Sequence, residues 1–364
     1  MTRVYLDYAA SAPLRPEARA ALLETLDVFG NPSSVHAEGQ AARTILDESR
    51  RTMADLLGVR AERVVFTSGA TEANNIALRG VMAKAGGSRL LVSAVEHDCV
   101  RNTGMALGAG EIPVDGNGVV KLEWLRTELA RGDVGLVSVM LVNNENGVIQ
   151  PVEEIATLCK AAGAVFHCDA VQAVGHRPVN VDVADLMSFT AHKFGGPKGV
   201  GALVLKTETP MDAMVTGGGQ ERNRRAGTEN IPAIAGMVAA AAAAFGKMDA
   251  ERATAALLRQ QMAAGIEKLG LEIAGAGTEC AEHVIQVLTA GKRGEDVVIG
   301  MDLRGVAVSQ GSACGSGRIK ESHVLQAMGY DGGRAGQAVR LSWGWASSEA
   351  DIAAGLMALG AMVG

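Results

Sequence analysis

The chain has 364 residues, is 48% hydrophobic, and carries a formal net charge of −6 with a pI ≈ 5.7. That length buries a sizeable core and predicts more than one domain, and the acidic balance offers no basic field for nucleic acid, so no nucleic-acid partner is expected. No apolar run reaches bilayer length and the opening MTRVYLDYAASAP lacks a signal-peptide h-region, which predicts no membrane partner and a cytoplasmic location.

From Pro16 to Leu57 the pattern is helical, interrupted by the turn GNPSS at Gly30–Ser34. Short β-rich runs then alternate with helical ones. RVVF (Arg63–Phe66) precedes a helix from about Thr71, and RLLVS (Arg89–Ser93) precedes one near Asp98–Leu107. VGLVSVMLV (Val134–Val142) precedes the helix VEEIATLCKAAG, after which come AVFHCDA, DLMSFTA and GALVLK. This alternation predicts an α/β domain with a mostly parallel sheet, whose ligand site lies at the carboxyl ends of the strands. After about Ile231 the character changes. IPAIAGMVAAAAAAFG opens an alanine-rich helical region that runs to about Gly270, and the short strands VIQVL, VAVS and AVRLS follow with helices, as in a smaller α+β domain. Neither a Walker A pattern nor G-x-G-x-x-G occurs, so the standard nucleotide folds are not signalled. The five cysteines (Cys99, Cys159, Cys168, Cys280 and Cys314) are odd in number and form no C-x-x-C, against a disulfide framework or a zinc site; no metal is expected.

Polar, titratable groups follow the apolar runs one after another. After RVVF comes TSGATEANN; after LLVSAV, Glu96 and His97; after VSVMLV, Asn143, Asn144 and Glu145; after AVFHC, Asp169 with Gln172 close behind; after LMSFT, His192 and Lys193. Each has an ordinary reading alone, as a helix cap, a structural histidine or a surface lysine. Their convergence on one sheet edge predicts an active site. One ligand reconciles them. Pyridoxal phosphate needs a lysine for its Schiff base, an aspartate for its pyridinium nitrogen, a flat group against its ring, and an anion cradle. Lys193, Asp169, His97 and the Gly69–Ala70–Thr71 turn at a helix start supply these. The glycines around Lys193 are expected to leave it room to swing.

The motifs YLDYAASAP, GNPSSVH, VVFTSGATEANN, VEHDCV, VNNENGVIQP, HCDAVQAVG, DLMSFTAHKFGGPKGVGAL, GGGQERNRRAGTEN, SQGSACGSG and VRLSWG occur in this order across almost the whole chain. In them the chain resembles the cysteine desulfurases, in the class V aminotransferase group of fold-type I pyridoxal-phosphate enzymes. The resemblance implies a large domain (residues 13–247) with a mostly parallel seven-stranded sheet, and a small domain (248–364 with 1–12). It implies that Lys193 forms the Schiff base, Asp169 partners the pyridine nitrogen, His97 stacks on the ring, and Gln172 bonds the phenolic oxygen. Ala70, Thr71, Thr190 and His192 would hold the phosphate, and Thr228 would reach the phosphate of the other subunit of a homodimer. Asn144 would lie beside ring and substrate, Arg340 would take the substrate carboxylate with help from Asn31, and Cys314 would be the nucleophile that takes the sulfur.

The implied reaction converts L-cysteine to L-alanine and an enzyme persulfide, for iron–sulfur cluster assembly or related sulfur transfer, with an acceptor or scaffold protein as partner. The small-residue loop SQGSACGSGRIKESH is unlike packed core, and Arg318 and Lys320 near Cys314 favour an acidic thiol. The Cys314–Arg340 spacing matches the branch with the longer loop. The alternative is a selenocysteine lyase or another class V lyase or aminotransferase; an aminotransferase needs no loop cysteine, and a non-catalytic scaffold needs no Lys193. Departures from the family pattern are Ala191 after Thr190, Asn146, Gln310, Gly315 and Gly317.

Overall fold

The computed structural model describes residues 3–311 and 321–364. The first part of the chain forms β1 (Val4–Tyr5), α1 (Pro16–Thr25), α2 (Ala37–Leu57), β2 (Val64–Thr67), α3 (Ala70–Lys84), β3 (Arg89–Ser93), α4 (Asp98–Ala106), β4 (Gly110–Ile112) and α5 (Leu122–Leu129). Then come β5 (Val134–Ser138), α6 (Val152–Ala162), β6 (Val165–Asp169), β7 (Leu186–Thr190), β8 (Gly201–Leu205) and α7 (Ile231–Gly246). The chain closes with α8 (Met248–Lys268), β9 (Glu272–Ile273), β10 (Val284–Leu288), α9 (Gly294–Leu303), β11 (Val306–Ala307), α10 (His323–Ala327), α11 (Gly332–Ala335), β12 (Ala338–Ser342) and α12 (Glu349–Val363).

Seven strands make one sheet in the order β2-β8-β7-β6-β5-β3-β4. Pairing is parallel from β7 through β4, while β8 runs antiparallel to both β2 and β7. The link from β7 to β8 explains the exception, because a parallel crossover needs about a dozen residues or more and only Ala191–Val200 intervene. β2, β7 and β8 are buried along their whole length, which is why they read as continuous apolar runs. The chain steps outward from β3 to β4 and then returns past β3 to β5. That reversal opens a crevice at the carboxyl ends. The apolar run Val134–Val142 is regular strand only to Ser138. Beyond it, the Val139 and Leu141 N–H groups still donate to the His167 and Asp169 carbonyls (3.1 and 2.9 Å), so the segment tracks β6 up to the crevice. His167, in the middle of β6, is fully buried between Ser138 Oγ (2.8 Å) and Ser188 Oγ (3.0 Å), and burial pushes its imidazole down to about 3.

The alanine-rich helical region expected from Ile231 to about Gly270 is two helices, α7 and α8, bent by 72° at Lys247. The alanine-rich α7 packs on α1 and α2, with Ile234, Met237 and Ala241 buried. Among the described residues no single helix is long and apolar enough to cross a membrane. Beyond α8, an antiparallel sheet β12-β10-β9 forms a second layer with α8, α9 and α12 around Leu258, Met262, Ile285, Leu341 and Trp343. The chain start joins this second unit, because β1 pairs in parallel with β11 and Leu6 enters the same core. β1, β4, β9 and α5 are additions to the sequence reading. The three strands are only two or three residues long, too short for a periodic signal, and α5 is one eight-residue helix.

Candidate active site

Lys193 stands on a single 3₁₀ turn, Ala191–Lys193, directly after β7. Its Nζ donates to the Ala9 and Ala10 carbonyls at 2.6 and 3.0 Å, so the chain start folds over the lysine. The neighbouring glycines serve close packing rather than room for the side chain. A Cβ on Gly195 (φ +90°) would lie 2.6 Å from Arg15 Cγ, and one on Gly196 would lie 2.7 Å from the Ala191 methyl. The Ala191 methyl, a departure from the family pattern, is therefore seated over a glycine and fully buried.

Asp169 ends β6 and is only 4% exposed. Val171 N–H donates to Oδ1 (3.0 Å) and Asn74 Nδ2 to Oδ2 (2.7 Å). Burial raises this carboxyl above the usual range, while the Val171 N–H, His97, Asn74 and Lys193 pull in the other direction. His97 caps α4: its Nδ1 accepts from Cys99 N–H (3.1 Å) and lies 3.0 Å from Cys99 Sγ. A ring nitrogen that accepts carries no proton, so the neutral ring bears its hydrogen on Nε2. Asn74 Nδ2 also reaches Cys99 Sγ (3.1 Å), which ties the aspartate to the histidine through an amide and a thiol. Behind them Glu96, fully buried, accepts from Met140 N–H (2.6 Å); burial, followed by Asp169, drives its carboxyl well above the usual range.

The N-terminus of α3 opens beside this group. Its N-cap, Gly69, offers no side-chain cap and sits at φ +151°, where any side chain is strained. A Cβ on Gly201 would fall 2.8 Å from Gly69 Cα, so β8 and this turn touch backbone to backbone. Uncapped N–H groups at the start of a helix attract an anion. Ser68, Ala70 and Thr71 line the opening together with His192. Burial, then Lys193 and Lys198, push the His192 imidazole down to about 4, so it is neutral and can donate. The Thr190 hydroxyl lines the same wall but donates to the Val200 carbonyl (3.0 Å), so its hydrogen is already committed.

Arg340, on β12, brings the second unit into the site. Its Nη1 donates to the Asn144 carbonyl (2.8 Å) and its Nη2 to Asp7 Oδ1 (2.9 Å), while the buried Nε has no partner among the described residues. Gln172 Nε2 donates to the Ala9 carbonyl (2.9 Å), and its buried Oε1 likewise has no partner among the described residues. Lys193, Asp169, His97, Gln172, Asn144 and Arg340 all line one cavity of ≈ 620 Å³. Thr228 lines a smaller neighbouring cavity of ≈ 230 Å³ that shares Ser68 and Gly199 with the main one. Asn31 is exposed and outside both, its Oδ1 accepting from Ser33 N–H (2.9 Å). Cys314, Gly315 and Gly317 lie outside the described residues. A cavity of ≈ 640 Å³ at the opposite ends of β6, β7 and β8 mixes Glu153, Asp182, Asp185 and Glu208 with Lys160 and Lys206. That wall holds no enclosed lysine and no uncapped helix start, so we place the chemistry in the first cavity. Lysine, buried aspartate, imidazole and an uncapped helix N-terminus in that cavity, with two orphaned polar atoms on its wall, fit pyridoxal phosphate and an amino-acid carboxylate.

The sequence profile of the family described as Aminotransferase class-V matches residues 4–354. Related proteins include Cysteine desulfurase IscS of Dictyoglomus turgidum, 39% identical over 361 residues that cover 96% of this chain and 91% of that one. A cysteine desulfurase of Cereibacter sphaeroides is 40% identical over 367 residues, covering 97% and 93%. The chain belongs to the cysteine desulfurase family of class V aminotransferases. Its fold agrees: a solved NifS-like protein matches with a TM-score of 0.92 and 32% identity over 99% of both chains. A NifS-like protein of Rickettsia africae matches with a TM-score of 0.91 and 29% identity, again over 99% of both. Against this family frame, the sequence reading missed Asn74, Cys99 and the Ala9–Ala10 carbonyls. A polar side chain on the buried face of α3, beside Ala73 and Ala77, was the available signal for Asn74. Nothing local marks a backbone carbonyl as a lysine partner.

Proposed function

We propose that this protein is a pyridoxal-phosphate-dependent cysteine desulfurase that converts L-cysteine to L-alanine and leaves the sulfur as a persulfide on Cys314. The convergence of Lys193, Asp169, His97 and Arg340 on one cavity carries the reading, in a chain whose relatives are named for this activity. The reaction balances without an external oxidant: cysteine and an enzyme thiol become alanine and an enzyme persulfide. When bound, pyridoxal phosphate supplies an electron sink for the substrate Cα. Asp169 would keep a proton on the ring nitrogen, Gln172 would bond the phenolic oxygen, and His97 would hold the ring. The start of α3, with Ala70, Thr71 and His192, takes the phosphate. Arg340 holds the substrate carboxylate at its open Nε edge beside Asn144. Lys193 takes the Cα proton and returns one, and His97 exchanges protons at Nε2. Cys314, as thiolate, accepts the substrate sulfur.

A homodimer goes with this reading. Leu26, Phe29 and Val35, in the link between α1 and α2, are exposed, Phe29 and Val35 by 85% and 89%. Apolar surface of that kind favours a second copy, which would also bring Thr228 to its partner's phosphate. Iron–sulfur cluster assembly, through an acceptor or scaffold protein, is the pathway this chemistry suits. The test is incubation of the holoenzyme with cysteine, with and without reductant. Alanine and, with reductant, sulfide should form together, and mass spectrometry should find an extra sulfur on the Cys314 peptide. Breakdown of selenocysteine alone, with cysteine untouched, would move the function to the lyase alternative.

A further inference from the structure

Two imidazoles stack immediately behind the cofactor lysine, and neither has a part in the chemistry above. The rings of His176 and His283 lie 4.2 Å apart with planes 10° from parallel. His176 belongs to the segment that carries Gln172 into the cavity, and its Nε2 sits 3.0 Å from the Lys193 carbonyl oxygen. A carbonyl only accepts, so His176 is the donor. Gly175 makes this approach possible. It sits at φ +82°, and a Cβ there would fall 2.5 Å from Phe194 Cβ. The next carbonyl is held in the same manner, because Arg15 Nε donates to Phe194 O (2.9 Å) while its other nitrogens pair with Glu251. Two successive carbonyls of the lysine turn are thus clamped by side chains from outside it.

His283 comes from the second unit, just before β10. It is 3% exposed, its Nε2 has no partner among the described residues, and its carbonyl accepts from Trp343 N–H (3.1 Å), next to the strand that carries Arg340. Burial holds both imidazoles neutral; the charged groups acting on the pair are Arg15, Arg177, Arg259, Glu251 and Glu282. An apolar residue would fill the place of His283 at lower cost, and a flat ring there registers the second unit against His176.

We propose that His176 is a positioning residue for Lys193, and that His283 braces it so that the unit bearing Arg340 is set against the lysine turn. The inference rests on Lys193 as the cofactor lysine, and the experiment separates the two. Borohydride reduction of the wild-type holoenzyme, followed by peptide mass spectrometry, should place the pyridoxyl group on Lys193; a label elsewhere overturns the lysine assignment itself. With that label in place, His176→Phe keeps a flat ring on His283 and removes the donor. It should release cofactor about tenfold faster to an apoenzyme trap and shift the pH midpoint of the cofactor absorbance, as for the loss of one hydrogen bond. Its apoprotein should melt close to wild type. His176→Gln restores a donor without the ring and should return the release rate to within about threefold of wild type, since the bond is what matters. His176→Phe with wild-type release and midpoint overturns the proposal. Should that variant fail to fold, His176→Gln decides alone, a release rate as fast as that predicted for the lost donor overturning it. For the brace, His283→Ala should raise the KM for cysteine while leaving the label on Lys193; an unchanged KM removes His283 from this role.

Discussion

Replacing Asn74 tests the electrostatic design of the site at one atom. Asn74 is fully buried in α3 and donates to Asp169 Oδ2 at 2.7 Å. Together with the Val171 N–H, it offsets the burial of this carboxylate. A hydrogen bond to a charged group is worth about 1.5–3 kcal/mol, so Asn74→Ala should push the Asp169 carboxyl further above the usual range. A carboxylate that protonates more easily is a poorer partner for a protonated ring nitrogen. Cofactor affinity should therefore fall about ten- to a hundredfold at neutral pH, and the loss should grow as pH falls. Titration of the apoprotein with pyridoxal phosphate, followed by absorbance at several pH values, measures this directly. Asn74→Asp sets a second carboxyl against Asp169 and should weaken binding most steeply toward high pH, where both lose their protons. An Asn74→Ala affinity within about twofold of wild type, with no change in pH profile, would refute the argument, because the lost bond would then have carried less than ~0.5 kcal/mol.

Arg340→Lys should raise the KM for cysteine about ten- to a hundredfold while cofactor binding stays intact, since lysine cannot bond Asn144, Asp7 and a carboxylate at once; steady-state kinetics with absorbance spectra check both halves. Cys314→Ala should retain cofactor and respond spectrally to cysteine, yet yield no persulfide by mass spectrometry and little alanine. His167 has a folded pKa of about 3, below its ordinary 6.5. The unfolded chain therefore binds the extra proton as pH falls below 6.5. Relative to His167→Gln, which cannot titrate, wild-type stability should drop by about 1.4 kcal/mol per pH unit from 6.5 toward 4. Urea unfolding across that window measures it, and parallel profiles would show that His167 is not buried neutral. Gly69→Ala should strain the turn at φ +151° and weaken phosphate-dependent cofactor retention more than it changes the melting temperature, read by cofactor release during gel filtration.

Much of the site was legible along the chain because a buried strand that ends at a ligand crevice leaves a local record. Apolar runs stop, and Lys193, Asp169, His97 and Asn144 stand where they stop; motif order extended that record to the family and to Arg340 on β12. Packing decided the rest. The antiparallel direction of β8 follows from a short link that can only turn back. The glycines near Lys193 proved to be places where Arg15, from far away in the chain, and the nearby Ala191 methyl press in, contacts that only the folded turn brings about. The bend at Lys247 divides a helical region that alanine carries on both sides, and its angle is set by packing rather than by the run itself. Asn74 beneath Asp169, the Ala9 and Ala10 carbonyls on the lysine, and His176 stacked on His283 are contacts between residues about a hundred or more positions apart. Periodicity and spacing report only what neighbours along the chain share, whereas a hydrogen bond or a stacked ring is set by how closed elements pack in three dimensions.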